Sequence, residues 1–541
     1  MKKYINDLKY CVPLFLLLLF VFVLTWAHQG HIIIDCGREV YYPEEIVRGK
    51  VLYKDLFNIY GPFAYLFNAL LFKIFSVKLS VIYLSGIFTA SGIILMIYLI
   101  SRLFFEKLLS FSITLLSLVI SCFSFSIFNY IFPYSFGMSY GCLSCLISLY
   151  FLILFIRNQT NYTLYYLSTF FAGIAVANKY EFIPYCFIYL FLCFKNKLKF
   201  RVNIIALLSF LFMPVLCFGI LFYQGLSVEA LFNNFKDIYH MSQTVTLRFF
   251  YISSGLIFQK PTLSILLRNC IKTALPLFFL YIGLYFFHKY KIKSIFALII
   301  GVIFAFKFIS VETFIFLPFL IFILFCFFYK KTSFENKIFS ISVLLMSLKV
   351  FWATAVNSYG VFFIPILLIA LISYLKKDFY KSVIIYLFIL SVGFFTFNYN
   401  LKKEKTVPIS SSKGLIYAQP VYNKTAQELV NYINANTKIS DKVLILPEGL
   451  FFNFLTDRKS DDYYNSYLPL YVETFGDERL ITSIKQNKPD YIFIHNFPTT
   501  DYYFKSICKD YAFKFCEFIN NEYMPKDLLL NDFKVYVFEK K

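Results

Sequence analysis

Hydrophobic residues run along the first 400 positions in long blocks, and polar residues are confined to short stretches between them. The blocks fall at 13–27, 79–100, 108–128, 136–156, 164–177, 182–194, 204–223, 271–287, 295–308, 313–328, 338–350, 361–374 and 382–397. A helix needs roughly 20 apolar residues to cross the hydrocarbon of a bilayer, so the pattern predicts about thirteen transmembrane helices. Beyond position 400 the pattern changes. AQELVNYINAN and ERLITSIKQN have the period of amphipathic helices, and KVLILP, PDYIFIH and FKVYVFEK read as strands. This alternation predicts a small α/β domain over 401–541, following a membrane domain over 1–400.

Composition agrees. Of 541 residues, 59% are hydrophobic, 22% aromatic and 15% charged, and the mean hydropathy is +0.67. Such a chain is neither an ordinary soluble enzyme nor a disordered protein. It is a polytopic α-helical membrane protein.

The net charge of +21 points first to nucleic acid, but its distribution removes that reading. Positions 1–400 hold 33 Lys and Arg against 13 Asp and Glu, whereas 401–541 hold 19 against 18. The excess is dispersed in short loops, where basic residues mark the cytoplasmic side. With MKK inside, the loops carrying Arg102 and Lys107, Arg157, Lys195 to Arg201, Lys289 to Lys293, Lys330 to Lys337 and Lys376 to Lys381 all fall inside. The tail is then extracytoplasmic, on a multi-pass protein of the plasma membrane. A first outer loop spans about 28–78 and a long one, predicted to be a mobile lid, about 224–269.

Five acids of the membrane part fall between Asp35 and Asp55, in the first outer loop. Ionisable groups beside a membrane are costly and mark function. Asp35 directly follows the apolar run 32–34, so its carboxylate emerges at the membrane surface, where it can take a proton from a hydroxyl. PEEIVRG is predicted as a short helix with Pro43 in its first turn and Gly49 as its stop. Tyr60-Gly61-Pro62 reads as a turn before an apolar stretch at 63–75.

The stretch from Asp35 to Asn68 contains D-x-G-R-E, R-G-x-x-L-Y-x-D and N-x-Y-G-P. It resembles the bacterial membrane glycosyltransferases of the C-type fold, which are similar to protein O-mannosyltransferases and related to the lipid A aminoarabinose transferase. The resemblance implies a sugar donor carried on a polyprenyl phosphate and used at the outer face. It implies Asp35 as the catalytic base, Glu39 as a second acid that orients the acceptor or Arg38, and Arg38 and Tyr60 as substrate-binding residues. Cys36 stands where many relatives carry a second acid.

A departing lipid phosphate needs cations. Lys179, Lys307 and Lys349 lie near predicted outer helix ends, and Lys349 precedes an aromatic and polar cluster of Trp352, Asn357, Tyr359 and Gly360. Glu229, Asp237 and His240 lie in the long loop, and Glu448, Asn453, Asp457 and Arg458 in the tail are further candidates to face the site. No compact metal-ligand set is visible. A divalent metal held by Glu39 or Glu229 stays open, as does pairing of Cys508 with Cys516. No Gly-rich phosphate fingerprint indicates a nucleotide sugar. The expected function is transfer of a sugar from a polyprenyl phosphate to a hydroxyl of a lipid, an envelope glycan or a protein. The alternative is a transporter or flippase of lipid-linked sugars, which would more commonly show repeated halves and mid-membrane charges.

Overall fold

The computed structural model describes residues 2–541 apart from positions 197, 288, 310–311 and 355–357, so Asn357 lies outside the described residues. The first half runs α1 (Lys2–Thr25), α2 (Cys36–Val47), α3 (Phe63–Ile74), α4 (Leu79–Phe104), α5 (Lys107–Ser117), α6 (Phe136–Arg157), α7 (Tyr162–Asn178), α8 (Ile183–Asn196) and α9 (Phe200–Tyr223). It continues through α10 (Val228–Ser242), α11 (Val245–Ser253), α12 (Lys260–Tyr285), α13 (Lys291–Lys307), α14 (Leu317–Phe328), α15 (Phe334–Met346), α16 (Ile364–Ile372) and α17 (Tyr380–Glu404).

Five helices among the described residues are long and apolar enough to cross a membrane: α4, α6, α9, α12 and α17. Several other predicted spans form shorter helices, such as α16 with 9 residues and α14 with 12. The predicted span 108–128 breaks early: α5 widens into a π turn over Leu118–Cys122, and 123–135 is irregular. Buried irregular backbone must find its hydrogen bonds inside the protein. Asn129 provides them, its Oδ1 accepting from the N–H groups of Ile131 (2.8 Å) and Phe132 (2.7 Å), while Gln29 Nε2 donates to the carbonyls of Cys122 and Ser124, both at 2.7 Å.

Two further segments differ from expectation. The helix predicted from Pro43 begins at Cys36, so Pro43 sits inside it. Burial drives the extension: ten of the twelve residues of α2 are buried, and a Cβ on Gly37 would meet the Phe451 amide nitrogen at 2.5 Å. Gly49, at φ 100°, does end the segment. The predicted lid is mostly helical, because Ser227 and Thr244 cap α10 and α11 by accepting from the Ala230 and Leu247 amides. It is fastened to the tail by Asp237, which pairs with both Arg479 nitrogens at 2.8 and 2.7 Å.

The tail adds a hairpin of β1 (Val407–Ser411) and β2 (Gly414–Ala418), then α18 (Pro420–Asn436), β3 (Val443–Leu446), α19 (Leu450–Thr456), α20 (Pro469–Phe475), α21 (Asp477–Asn487), β4 (Tyr491–His495), α22 (Phe513–Glu522), β5 (Tyr523–Leu530) and β6 (Lys534–Lys540). The four-stranded sheet has the order β3-β4-β6-β5, with β3 parallel to β4 and the other pairs antiparallel. Cys508 and Cys516 are joined by a disulfide. The segment after β3 forms the wholly buried helix α19, which packs on α2.

Charges from both halves lock this contact. Arg48 on α2 reaches Glu45 (2.6 Å), Glu44 (2.7 Å) and Asp457 at the end of α19 (2.5 Å). Lys413, in the β1–β2 turn, reaches Asp457 at 2.6 Å and also pairs with Glu44. Removing one partner of a buried ion pair strands the other, at a cost of about 3 kcal/mol. Lys413→Met is therefore expected to lower the thermal midpoint of the detergent-solubilised protein and to speed proteolytic release of the tail. Unchanged melting and cleavage would refute this role.

Candidate active site

Asp35 ends the apolar run that follows α1 and stands at the N-cap of α2 with a left-handed backbone (φ 55°). A non-glycine residue there is strained, and such strain gathers at functional sites. Its carboxylate does not cap the helix; 32% of the side chain is exposed, toward a cavity of about 260 Å³. The tail meets it from the other side. The Asp35 amide donates to Glu448 Oε1 at 3.0 Å, so a loop after β3 is bonded directly to the start of α2. His495 Nε2 donates to the Glu448 carbonyl at 2.8 Å, while the Phe497 amide donates to Nδ1 at 3.3 Å, which fixes the tautomer. Burial holds this imidazole neutral, its pKa down to about 4.

Glu39, expected as a second catalytic acid, lies behind the cavity wall and is fully buried. It accepts from the Phe136 amide (2.7 Å), the Tyr65 hydroxyl (3.0 Å) and Arg38 Nε (3.3 Å). Arg38 also donates to the Tyr65 hydroxyl (3.0 Å) and the Tyr134 carbonyl (3.3 Å), and its guanidinium lies 4.8 Å from the Tyr60 ring centre and 3.7 Å from Asp35. Glu39 therefore orients Arg38, and Arg38 faces the cavity.

The opposite wall is cationic and aromatic. Lys179, where α7 ends, donates to the hydroxyls of Tyr134 (2.5 Å) and Tyr359 (3.2 Å) and lies 4.2 Å from the Tyr60 ring centre. Lys349 lies 3.9 Å from the Tyr359 ring centre and pairs with Glu181 at 2.5 Å. Glu181 also sits 3.6 Å from Lys179, so the two lysines share one counter-charge.

Asp35, Arg38, Tyr60, Lys179, Lys349 and Tyr359 thus converge on one cavity. Lys307 does not: it is exposed at the end of α13 and is not part of the lining. His240 is also exposed and outside the lining. Of the four tail candidates only Glu448 enters the cavity; Asn453 instead donates to the Val443 carbonyl at 2.7 Å, inside the tail. Glu181, Tyr134 and the tail wall of Tyr464, Asn465, Ser466, Tyr471 and Tyr502 were not singled out by the sequence.

Two acids facing one small volume hold each other's protons. Burial raises the Glu448 pKa to about 8, helped by the nearby charge of Asp35. Burial also raises Asp35, and Arg38 and then Lys179 oppose that rise. A metal site is not formed around them: among the described residues no three His, Cys, Asp or Glu side chains converge as ligands. The Glu39 carboxylate is committed to protein donors and Glu229 is exposed at the start of α10.

The fold is similar to that of solved C-type-fold membrane glycosyltransferases. The chain superposes on the aminoarabinose transferase ArnT from Cupriavidus metallidurans, solved bound to undecaprenyl phosphate, with 98% of each chain covered, 11% identity and a TM-score of 0.50. The oligosaccharyltransferase of Archaeoglobus fulgidus, solved in the apo form, matches 90% of this chain and 69% of its own, at 11% identity and a TM-score of 0.51. No family model matches the sequence, and no curated protein sequence does.

The raised Glu448 has a pH signature. Unfolded, the group releases its proton near 4.5; folded, it keeps it up to about 8. The folded state binds the extra proton in that window, so this contribution to stability is complete below 4.5 and is lost as pH rises through 8. Glu448→Gln is expected to flatten the fall in melting temperature between about pH 5 and pH 9. An unaltered slope would show that Glu448 is not the group responsible.

Proposed function

We propose that this chain is a membrane glycosyltransferase that moves a sugar from a polyprenyl-phosphate donor to an acceptor hydroxyl. The observation that carries the reading is the division of the cavity: the Asp35 carboxylate on one side, the cations Lys179 and Lys349 on the other, and Arg38 reaching between them. The shared fold with ArnT, solved with undecaprenyl phosphate, supports a lipid phosphate as the donor's anchor.

In the proposed reaction the acceptor O–H lies against Asp35. Asp35 takes the proton as the acceptor oxygen bonds to the anomeric carbon, and the bond from that carbon to the phosphate oxygen breaks with its electron pair. The lipid phosphate departs as an anion toward Lys179, Lys349 and Arg38, whose charge is in place beforehand. One displacement with one base inverts the anomeric centre. Burial raises the Asp35 pKa, and Arg38, 3.7 Å away, opposes that rise. Glu39, through Tyr65 and Arg38, is a positioning residue. The reaction belongs at the extracytoplasmic face of the plasma membrane, with 1–400 as the membrane domain and 401–541 as the outer domain.

Asp35→Asn is expected to lower turnover about a thousandfold, read as sugar transfer from a polyprenyl-phosphate hexose in detergent, while undecaprenyl phosphate still binds in native mass spectrometry. Near-normal turnover would move the base elsewhere. Lys349→Ala is expected to weaken undecaprenyl phosphate binding about tenfold, the loss of one hydrogen bond to a charged group. Unchanged binding would remove Lys349 from the phosphate site.

A further inference from the structure

The tail supplies one whole wall of the cavity, and that wall differs from the rest. Its polar members are Glu448, Asn465 and Ser466, accompanied by the rings of Tyr464, Tyr471 and Tyr502, and the tail residues lining the cavity include no lysine or arginine. Asn465 is 3% exposed and Ser466 8%. The Asn465 amide approaches the Tyr42 hydroxyl, yet neither its oxygen nor its nitrogen makes a hydrogen bond of ordinary geometry, and the Ser466 hydroxyl also lacks one. Buried polar atoms are nearly always paired, and these three, on two residues that line the cavity, are not, so a turn of either side chain toward the cavity lets a ligand supply the partners.

The backbone holds them in that state. Asn465 has a left-handed backbone (φ 56°), and its amide N–H donates to Asp462 Oδ2 at 2.8 Å. The other Asp462 oxygen accepts from Ser483 at 2.7 Å, which ties the loop to α21. The loop's local hydrogen bonds are made by the backbone and by Asp462, and the side-chain polar atoms of Asn465 and Ser466 are left without ordinary partners.

We propose that this tail wall is the acceptor subsite and that it takes a neutral saccharide. The inference rests on the transferase reading above and deepens it by naming the acceptor class. An amide offers a donor and an acceptor, and a hydroxyl offers both, which matches the paired hydroxyls of a sugar ring. Tyrosine rings pack against the apolar C–H faces of such a ring. Tyr471 and Tyr502 lie close enough to Asp35 and Glu448 to feel their charge, so a sugar held there presents a hydroxyl to the base. An acceptor bearing phosphate or carboxylate would meet two acids on this side, with Arg38, which bonds Tyr471 and lies 3.7 Å from Asp35, as the single cation within reach. Lys179 and Lys349 belong to the wall assigned to the departing phosphate.

The test is saturation-transfer NMR on the full chain in nanodiscs, with methyl hexosides, hexose 6-phosphates and a serine-containing peptide as probes. Undecaprenyl phosphate binding is measured in parallel by native mass spectrometry. The variants are Asn465→Gly, which keeps the left-handed backbone accessible, and Ser466→Ala. The expected result is a signal from at least one neutral hexoside that exceeds its 6-phosphate and the peptide. That signal falls at least fivefold in either variant while undecaprenyl phosphate binding is retained. Equal signals in the variants, no hexoside signal from the unmodified chain, or preference for the phosphorylated sugar or the peptide would each overturn the proposal. Failure of the unmodified chain to bind undecaprenyl phosphate would count instead against the transferase reading, and loss of that binding in Asn465→Gly alone would mean the residue supports the fold rather than the acceptor.

Discussion

A carboxylate sealed from water must be paid in hydrogen bonds, and Glu39 sets the terms for everything around it. Its oxygens collect a backbone amide at the start of α6, a hydroxyl from α3 and the guanidinium of Arg38, the preceding residue on its own helix. Three elements that enclose the site are therefore fixed relative to one another by a single side chain. A buried charge with any of these partners missing is costly, so the arrangement tolerates little drift. Arg38 inherits that rigidity, and through it the spacing between Asp35 and the aromatic wall.

The cavity keeps its charges apart without insulating them. Glu181 sits between Lys179 and Lys349, which lets two like charges stand in one wall, and the rings of Tyr60, Tyr134 and Tyr359 cover the Lys179 ammonium with electron-rich faces. On the other side, burial raises the proton affinity of both Glu448 and Asp35, and the nearby Asp35 charge adds to the rise at Glu448. The result is a dipolar volume at the junction of the helical bundle and the tail, in which an anion and a hydroxyl have separate places to rest.

Much of this was legible from the chain. Asp35 stood out because a charge at the end of an apolar run has few uses, and the α/β alternation of the tail was plain in KVLILP and PDYIFIH. Lys179, Lys349 and Lys307 gave the same signal, a cation at a helix end, yet only the first two reach the cavity. Hydropathy conveys depth along a helix but not the direction in which a side chain points around it. Positions 123–128 read as part of a span because their apolar content is high; only the side-chain amides of Gln29 and Asn129 reveal how irregular backbone survives at 123–135. Glu448 lies more than four hundred positions from its partner, and proximity of that kind leaves no periodic trace. The start of α2 was misplaced because proline was taken as a boundary, when packing against α19 outweighed one missing backbone bond.

The bond from the Asp35 amide to Glu448 has an evolutionary corollary. A tail that merely perched on a membrane enzyme would be a cassette, exchangeable among relatives to alter recognition while chemistry stayed put. Here the appendage reaches Asp35, the residue proposed as the base, and is also sutured to α2 through Arg48 and Lys413. Chimeras joined near position 400 would graft a foreign loop onto Asp35 itself, so the two halves of such a lineage should diversify in step rather than by recombination.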